Sequence, residues 1–353
     1  MFKSNWFVTK SDQSVAPRRK LTAILVAIVT LSIFAVGMTP IAAQAAVNGL
    51  TVTTSPNVAI ISGATVTTAP VITLTDGSNS FSTSNFNSTN YPITVGLATS
   101  ASPACTTAPS TTSGNYTITP GTGTYSRSNS SSGTVTYSSM SIKGPASASP
   151  AIYVEFWYST TYCKSSALIT SVTVTPTKLS VTAGSSATAN NGSTVSSITV
   201  AAQDANNYTA TNNTSTVTVT SSNSTLSGTT TATMSAGVAT FSAITLTMSG
   251  TSTTATLSFA VTTGSTALTT TTVSVTVTPG SASKLVIGTQ PSNTATQGTA
   301  LGSQPVVYLA DTNGLIVTTG SGTVTASMSK QPAGSNSLTG NTVQTLTSGT
   351  ASM

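Results

Sequence analysis

The sequence predicts an all-β chain of tandem β-sandwich modules behind an N-terminal signal helix. Three observations predict it. Serine and threonine make up 135 of 353 residues, while charged and aromatic residues contribute only 5% each. With 38% apolar residues, such a chain is too uncharged for an expanded disordered polymer, and β-branched threonine suits a pleated strand with its hydroxyl in water. The phrase SVTVTP occurs at 171–176 and again at 274–279. Between such landmarks run short alternating segments, separated by Gly, Asn and Ser turns about every 8–12 residues, as in β-sandwiches.

The first element is the leader. Five of the eleven basic residues lie in the first twenty: Lys3, Lys10, Arg18, Arg19 and Lys20. LTAILVAIVTLSIFAVGM (21–38) follows, and Ala43-Gln44-Ala45 provides a small-residue cleavage site. This is the layout of an export signal over 1–45, cleaved after Ala45. The alternative is a retained anchor, since eighteen apolar residues sit at the lower edge of a spanning helix. Arg18-Arg19 hints at twin-arginine export, but the very apolar segment favours the general secretory route.

Beyond the leader, six basic residues against four acidic ones leave a net +2 with no basic cluster. Phosphate backbones require concentrated Lys and Arg, so no nucleic-acid partner is expected. Membrane contact is expected only through an uncleaved leader.

The modules follow. Proline lacks a ladder N–H, so it punctuates the repeated phrase at Pro176 and Pro279. Similar openings come after it, TKLSV at 177–181 and SKLVI at 283–287. The modules are read as 46–170, 171–280 and 281–353. Each holds an apolar strand that stops at an aspartate: Asp76, Asp204 and Asp311. Ile72 and Leu74, Val200 and Ala202, Val307 and Leu309 alternate before it and share one strand face. The aspartate is expected to open a turn by bonding backbone two residues on. A second landmark places a ring four residues after glycine, Tyr137 after Gly133 and Phe241 after Gly237, with Met140 and Ile142 or Ile244 and Leu246 beyond. GTASM (349–353) reads as the start of the third copy, with Met353 in the ring's place. The third module then lacks its last strands, so the sequence is read as truncated; the alternative is a divergent ending. In the second module the expected core comprises Ile198 and Val200, Val217 and Val219, Ile244 and Leu246, Leu257 and Phe259, Val273 and Val275.

KLVIGTQPSNTATQGTALGSQPVVYLADTNGLIVT (284–318) resembles the opening of bacterial immunoglobulin-like (Big-type) repeats, and GVATFSAITLTMSG (237–250) resembles their later strands. The resemblance covers modules 2 and 3 well and module 1 loosely. It implies tandem Ig-like sandwiches of cell-surface, adhesive or S-layer-like proteins. Its motifs are structural, so it transfers no site residues.

Cys105 and Cys163 are the only cysteines. In an exported chain they read as one disulfide; the alternative is two free thiols. Asp76 to Gly133 is 24 residues longer than the matching stretch of module 2, and Cys105 lies in that excess.

The chain has no histidine, which removes the commonest general base and metal ligand and any Ser-His-Asp or Cys-His arrangement. Three of the four acids beyond the leader sit at one recurrent turn, a structural position. A carboxylate pair of Glu155 with Asp76 is the only glycosidase-like combination within module 1 and is set aside. Ser327 and Lys330 match S-x-x-K, but in a strand-like run rather than at a helix start. Calcium wants several oxygens together, which lone aspartates do not offer, so neither metal nor cofactor is expected. Eight N-x-S/T sequons are what chance gives at this Ser/Thr content.

AIYVEFWYSTTYC (151–163) is the most informative segment. As a strand, Ile152, Val154, Phe156 and Tyr158 share the core face, and Tyr153, Glu155 and Trp157 the other. Two rings beside a carboxylate could form a carbohydrate platform. The competing reading is that the insertion folds over this face, pinned by Cys105–Cys163. The expected function is non-catalytic: a secreted structural or adhesive protein of the bacterial cell surface, acting by multivalent display or lateral assembly. Its partners would be envelope or host-matrix glycans or proteins, or copies of itself. The alternatives are a carbohydrate-binding module and the stalk of a larger secreted enzyme.

Overall fold

The computed structural model describes residues 47–264, 268–330 and 337–353. The leader and cleavage site expected from the sequence lie outside the described residues. Every regular element described is a strand, and the strands build Ig-like β-sandwich units with separate apolar cores.

One three-stranded motif recurs in each unit. Val71–Asp76, Ile198–Gln203 and Val306–Ala310 each pair antiparallel on both sides. On one side lies the unit's opening strand: Val47–Thr54, Lys178–Ala183 or Lys284–Thr289. On the other lies the glycine-led strand: Ser132–Tyr137, Val238–Phe241 or Thr350–Ser352. The register also recurs. Each opening strand carries a one-residue bulge opposite the residue four before the aspartate, between Val52 and Thr54, Val181 and Ala183, and Ile287 and Thr289. A bulge bends and twists its strand, so all three copies bend at one place.

The alternation decides what is buried. In Val71–Asp76, Ile72 and Leu74 are fully buried while Val71, Thr73 and Thr75 face outward. Outward threonines then pair across strands, as Thr182 with Thr199 at 2.9 Å and Thr218 with Thr262 at 2.9 Å. Such pairs add a few tenths of a kcal/mol up to about 1 kcal/mol each, which gives the high threonine content a place in the fold. All ten residues expected in the second core are buried there, with Phe241 and Phe259 meeting edge to face at 5.2 Å.

The second unit completes its sandwich with a five-stranded sheet in the order Thr188–Asn190, Thr271–Thr278, Thr254–Thr263, Thr216–Ser221, Thr231–Thr233. In the first unit Ser171–Thr173 runs parallel to Ala59–Ile61, and Val172 belongs to the first core. In the second, Thr271–Thr278 runs parallel to Thr188–Asn190. The phrase SVTVTP is therefore the closing strand of a unit. Ser171–Thr173 is hydrogen-bonded into the first unit, so that unit runs past the bound at 170 toward the punctuation at Pro176.

The third unit is open on one side. Leu285 and Ile287 are 52% and 51% exposed, whereas Leu179, at the place of Leu285, is buried against the second core. The described residues of the third unit include no counterpart of Thr254–Thr263 or Thr271–Thr278.

The insertion of the first unit does more than cover a face. Phe81, Phe86, Tyr91 and Tyr125 form a ring cluster with centroids 4.8–5.4 Å apart. A Cβ at Gly133 would fall 2.5 Å from the Phe86 ring, so only glycine admits that cluster against the sheet. Tyr125 stands on the strand Gly123–Asn129, which extends the first sheet.

Candidate functional site

The recurrent aspartates are the most chemically loaded positions. Each is buried and accepts the backbone N–H groups of the residues two and four further on. For Asp76 these are Ser78 at 2.9 Å and Ser80 at 2.8 Å. For Asp204 they are Asn206 and Tyr208, both at 2.9 Å. For Asp311 they are Asn313 at 2.9 Å and Leu315 at 3.0 Å. A carboxylate in this role closes a turn by satisfying N–H groups that the strand ladder cannot reach.

The second carboxylate oxygen separates the three. Asp76 Oδ2 also takes the Ser80 hydroxyl. Asp311 Oδ2 accepts the Asn191 side-chain amide at 2.8 Å and the Gly280 N–H at 3.0 Å. Asp204 Oδ2 is buried and has no partner among the described residues. Burial pushes the Asp311 carboxyl up, but bonds from Asn191, Gly280, Leu315 and Asn313 outweigh it and hold the group below its ordinary value. Asp76 follows the same balance, with burial opposed by Ser80 and Ser78. These acids are hydrogen-bond acceptors fixed in turns.

Tyr153, Glu155 and Trp157 do share the outer face of the strand Tyr153–Trp157, between Thr94–Ala98 and Cys163–Ser165. They do not form an open platform, because the insertion occupies the space above them. Leu97 bridges to Ser110, and a Cβ at Gly96 would collide with Pro109 and the Ser110 carbonyl. The Trp157 indole donates to the Cys105 carbonyl at 3.3 Å, and Ser165 Oγ donates to the Ser100 carbonyl at 2.9 Å. A disulfide joins Cys105 to Cys163, with Cα atoms 5.4 Å apart. Trp157 and Tyr153 keep only part of their surface, and Glu155 is 6% exposed.

Desolvation pushes the Glu155 carboxyl above its ordinary value. The folded state therefore binds the proton more tightly than the unfolded chain. Stability is lost as pH rises from the ordinary value of 4.5 through the folded one. Glu155→Gln removes the charge that desolvation penalises and is expected to stabilise the first unit at pH 7. The gain should vanish below the ordinary carboxylate range. Thermal melts at pH 4 and pH 7 check this, and a variant destabilised at both would refute it.

Among the described residues no group of three or more Asp, Glu or Cys is placed to hold a metal ion. Ser327 and Lys330 lie in exposed irregular chain after the strand Thr323–Thr325, without a helix to bring Lys to Ser.

The residues that sequence reasoning missed are Asn191, Gly280 and Leu315, which meet the Asp311 turn from outside or bury it. The available signal was a pair of turn dipeptides, Asn191-Gly192 in the second unit against Ser62-Gly63 in the first.

No family model and no curated protein matches the chain. Solved structures give loose likenesses. The surface-layer protein SbsC, domains 1–6, is 16% identical over 88% of this chain and 39% of that chain, with a TM-score of 0.23. The Escherichia coli adhesin FdeC is 17% identical over 88% and 92%, with a TM-score of 0.28. The D0–D1 domain of intimin is 16% identical over 65% and 98%, with a TM-score of 0.19. This chain thus spans well under half of the SbsC chain. At TM-scores this low none of these likenesses carries an argument about the present chain.

Proposed function

We propose that the chain is a non-catalytic structural or adhesive component of a bacterial cell surface, working by multivalent display or lateral assembly. The observation that carries this is the repetition itself. The same strand triplet, the same bulge and the same aspartate turn recur in three successive units, and the acids at the turns are spent on backbone hydrogen bonds. A scaffold copied in series multiplies contact surfaces, and tethered copies raise each other's effective concentration. Sparse charge leaves little repulsion between neighbouring chains. The insertion packed against the face around Trp157 weighs against the carbohydrate-platform reading.

The test compares the full chain with the second unit alone on bacterial envelope preparations, on glycan and matrix-protein arrays, and on itself in solution. The full chain should bind one of these surfaces, or associate with itself, at least tenfold more strongly than the single unit. Equal binding by both would remove multivalency, and a strictly monomeric, non-binding chain would remove the surface role.

A further inference from the structure

The two joints between units are built on one plan and finished differently. Ser62 and Asn191 occupy the same place. Each precedes a left-handed glycine, Gly63 at φ 76° and Gly192 at φ 79°. Each glycine N–H donates 2.9 Å to the strand beside it, Gly63 to Ile142 and Gly192 to Leu246. Each side chain accepts a backbone N–H two residues beyond that partner, Ser62 Oγ from Gly144 at 3.0 Å and Asn191 Oδ1 from Met248 at 2.7 Å. Each glycine also faces the next unit's turn. A Cβ at Gly63 would lie 3.3 Å from Asn206 Nδ2, and one at Gly192 would lie 2.5 Å from Asn313 Nδ2.

Across the second joint Asn191 has reach to spare. Its Nδ2 bonds both the Met248 carbonyl at 3.0 Å and Asp311 Oδ2 at 2.8 Å. Gly250 then donates to the Gly314 carbonyl and accepts from Ile316, both at 2.9 Å, which stitches the two backbones. Leu315, fully buried, packs into the core of the second unit.

Across the first joint serine is too short for the equivalent bond and carries no amide. Asp204 Oδ2, in a residue 6% exposed, has no donor among the described residues. Tyr208 stands four residues after its aspartate, as Leu315 does, but is half-exposed and reaches only the Asn115 carbonyl, at 3.4 Å. A cleft of about 280 Å³ opens beside the connecting segment, lined by Val174–Pro176, Asn212–Ser215 and Gly264.

We infer that the chain carries one locked joint and one articulated joint, and that the residue before the turn glycine, Asn191 or Ser62, sets which is which. The second and third units move as one body, and the first swings about the segment 174–177.

Single-molecule energy transfer with dye pairs across each joint, attached through unnatural amino acids so that the disulfide is kept, tests this. The unaltered chain should give one narrow distance distribution across the second joint and a broad one across the first. Asn191→Ser should broaden the second without unfolding its unit, because the Ser62–Gly144 bond shows that serine can still accept the neighbouring N–H. Ser62→Asn should narrow the first by giving Asp204 Oδ2 its missing donor. Equal widths in the unaltered chain overturn the inference, as does an Asn191→Ser chain whose second joint stays narrow. If Ser62→Asn does not fold, the Asn191→Ser result alone decides.

Discussion

Replacing both Cys105 and Cys163 by serine is expected to remove about 4 kcal/mol of stability from the first unit, the loop-closure value for cysteines 58 residues apart. The unfolded chain would gain the freedom of a long loop, while the folded chain would lose the pin that holds 103–110 over the outer face. Trp157 reports on both events, because it is the only tryptophan beyond residue 46 and its indole bonds the Cys105 carbonyl. Its fluorescence should shift to the red in the folded variant as the cover lifts. The core of the second unit is separate, so its unfolding transition should not move. A loss under about 1 kcal/mol with unchanged fluorescence would show that the insertion holds its place through the ring cluster alone.

Asp311→Ala should cost more than Asp204→Ala. The first removes the acceptor of four hydrogen bonds, from Asn313, Leu315, Gly280 and Asn191, two of them reaching across the joint. The second removes the acceptor of two. Stranding buried donors around Asp311 puts its loss at roughly 3–5 kcal/mol, against about 2 kcal/mol at Asp204. The pH dependence has a fixed sign. A carboxyl held below its ordinary value of 3.8 contributes stability that is complete above that value and is lost as pH falls through the folded one. Calorimetry of the unaltered chain should therefore show the second and third units unfolding together near neutrality and separately in strong acid. Equal costs for the two substitutions would refute the cross-joint role of Asp311.

Much of this was readable in the letters. The alternation before Asp76, Asp204 and Asp311 places buried and outward residues because strand geometry has a period of two, whatever lies around it. The glycine-and-ring landmark found the paired strand for the same reason: Tyr137 and Phe241 must enter the core beside it. What was not readable is what depends on packing between distant segments. Phe81, Phe86 and Tyr91 follow no strand period, so their cluster shows only when Gly133 makes room for it. Pro176 marks the close of the first unit in the letters, while the bound at 170 falls short of it, because an alternating phrase looks the same whether it closes one sheet or opens the next. The bond from Asn191 to Asp311 spans 120 residues. The Asn191-Gly192 dipeptide marks a turn, but nothing local says that its amide reaches another unit.

The parallel pairing of a unit's early and closing strands has a further consequence. Ala59–Ile61 lies beside Ser171–Thr173, and Thr188–Asn190 beside Thr271–Thr278. A pull on the two ends of a unit therefore drags these neighbours past each other along their length. Their hydrogen bonds share that load in shear, all resisting at once, where an antiparallel pair tugged at its open end would unzip bond by bond.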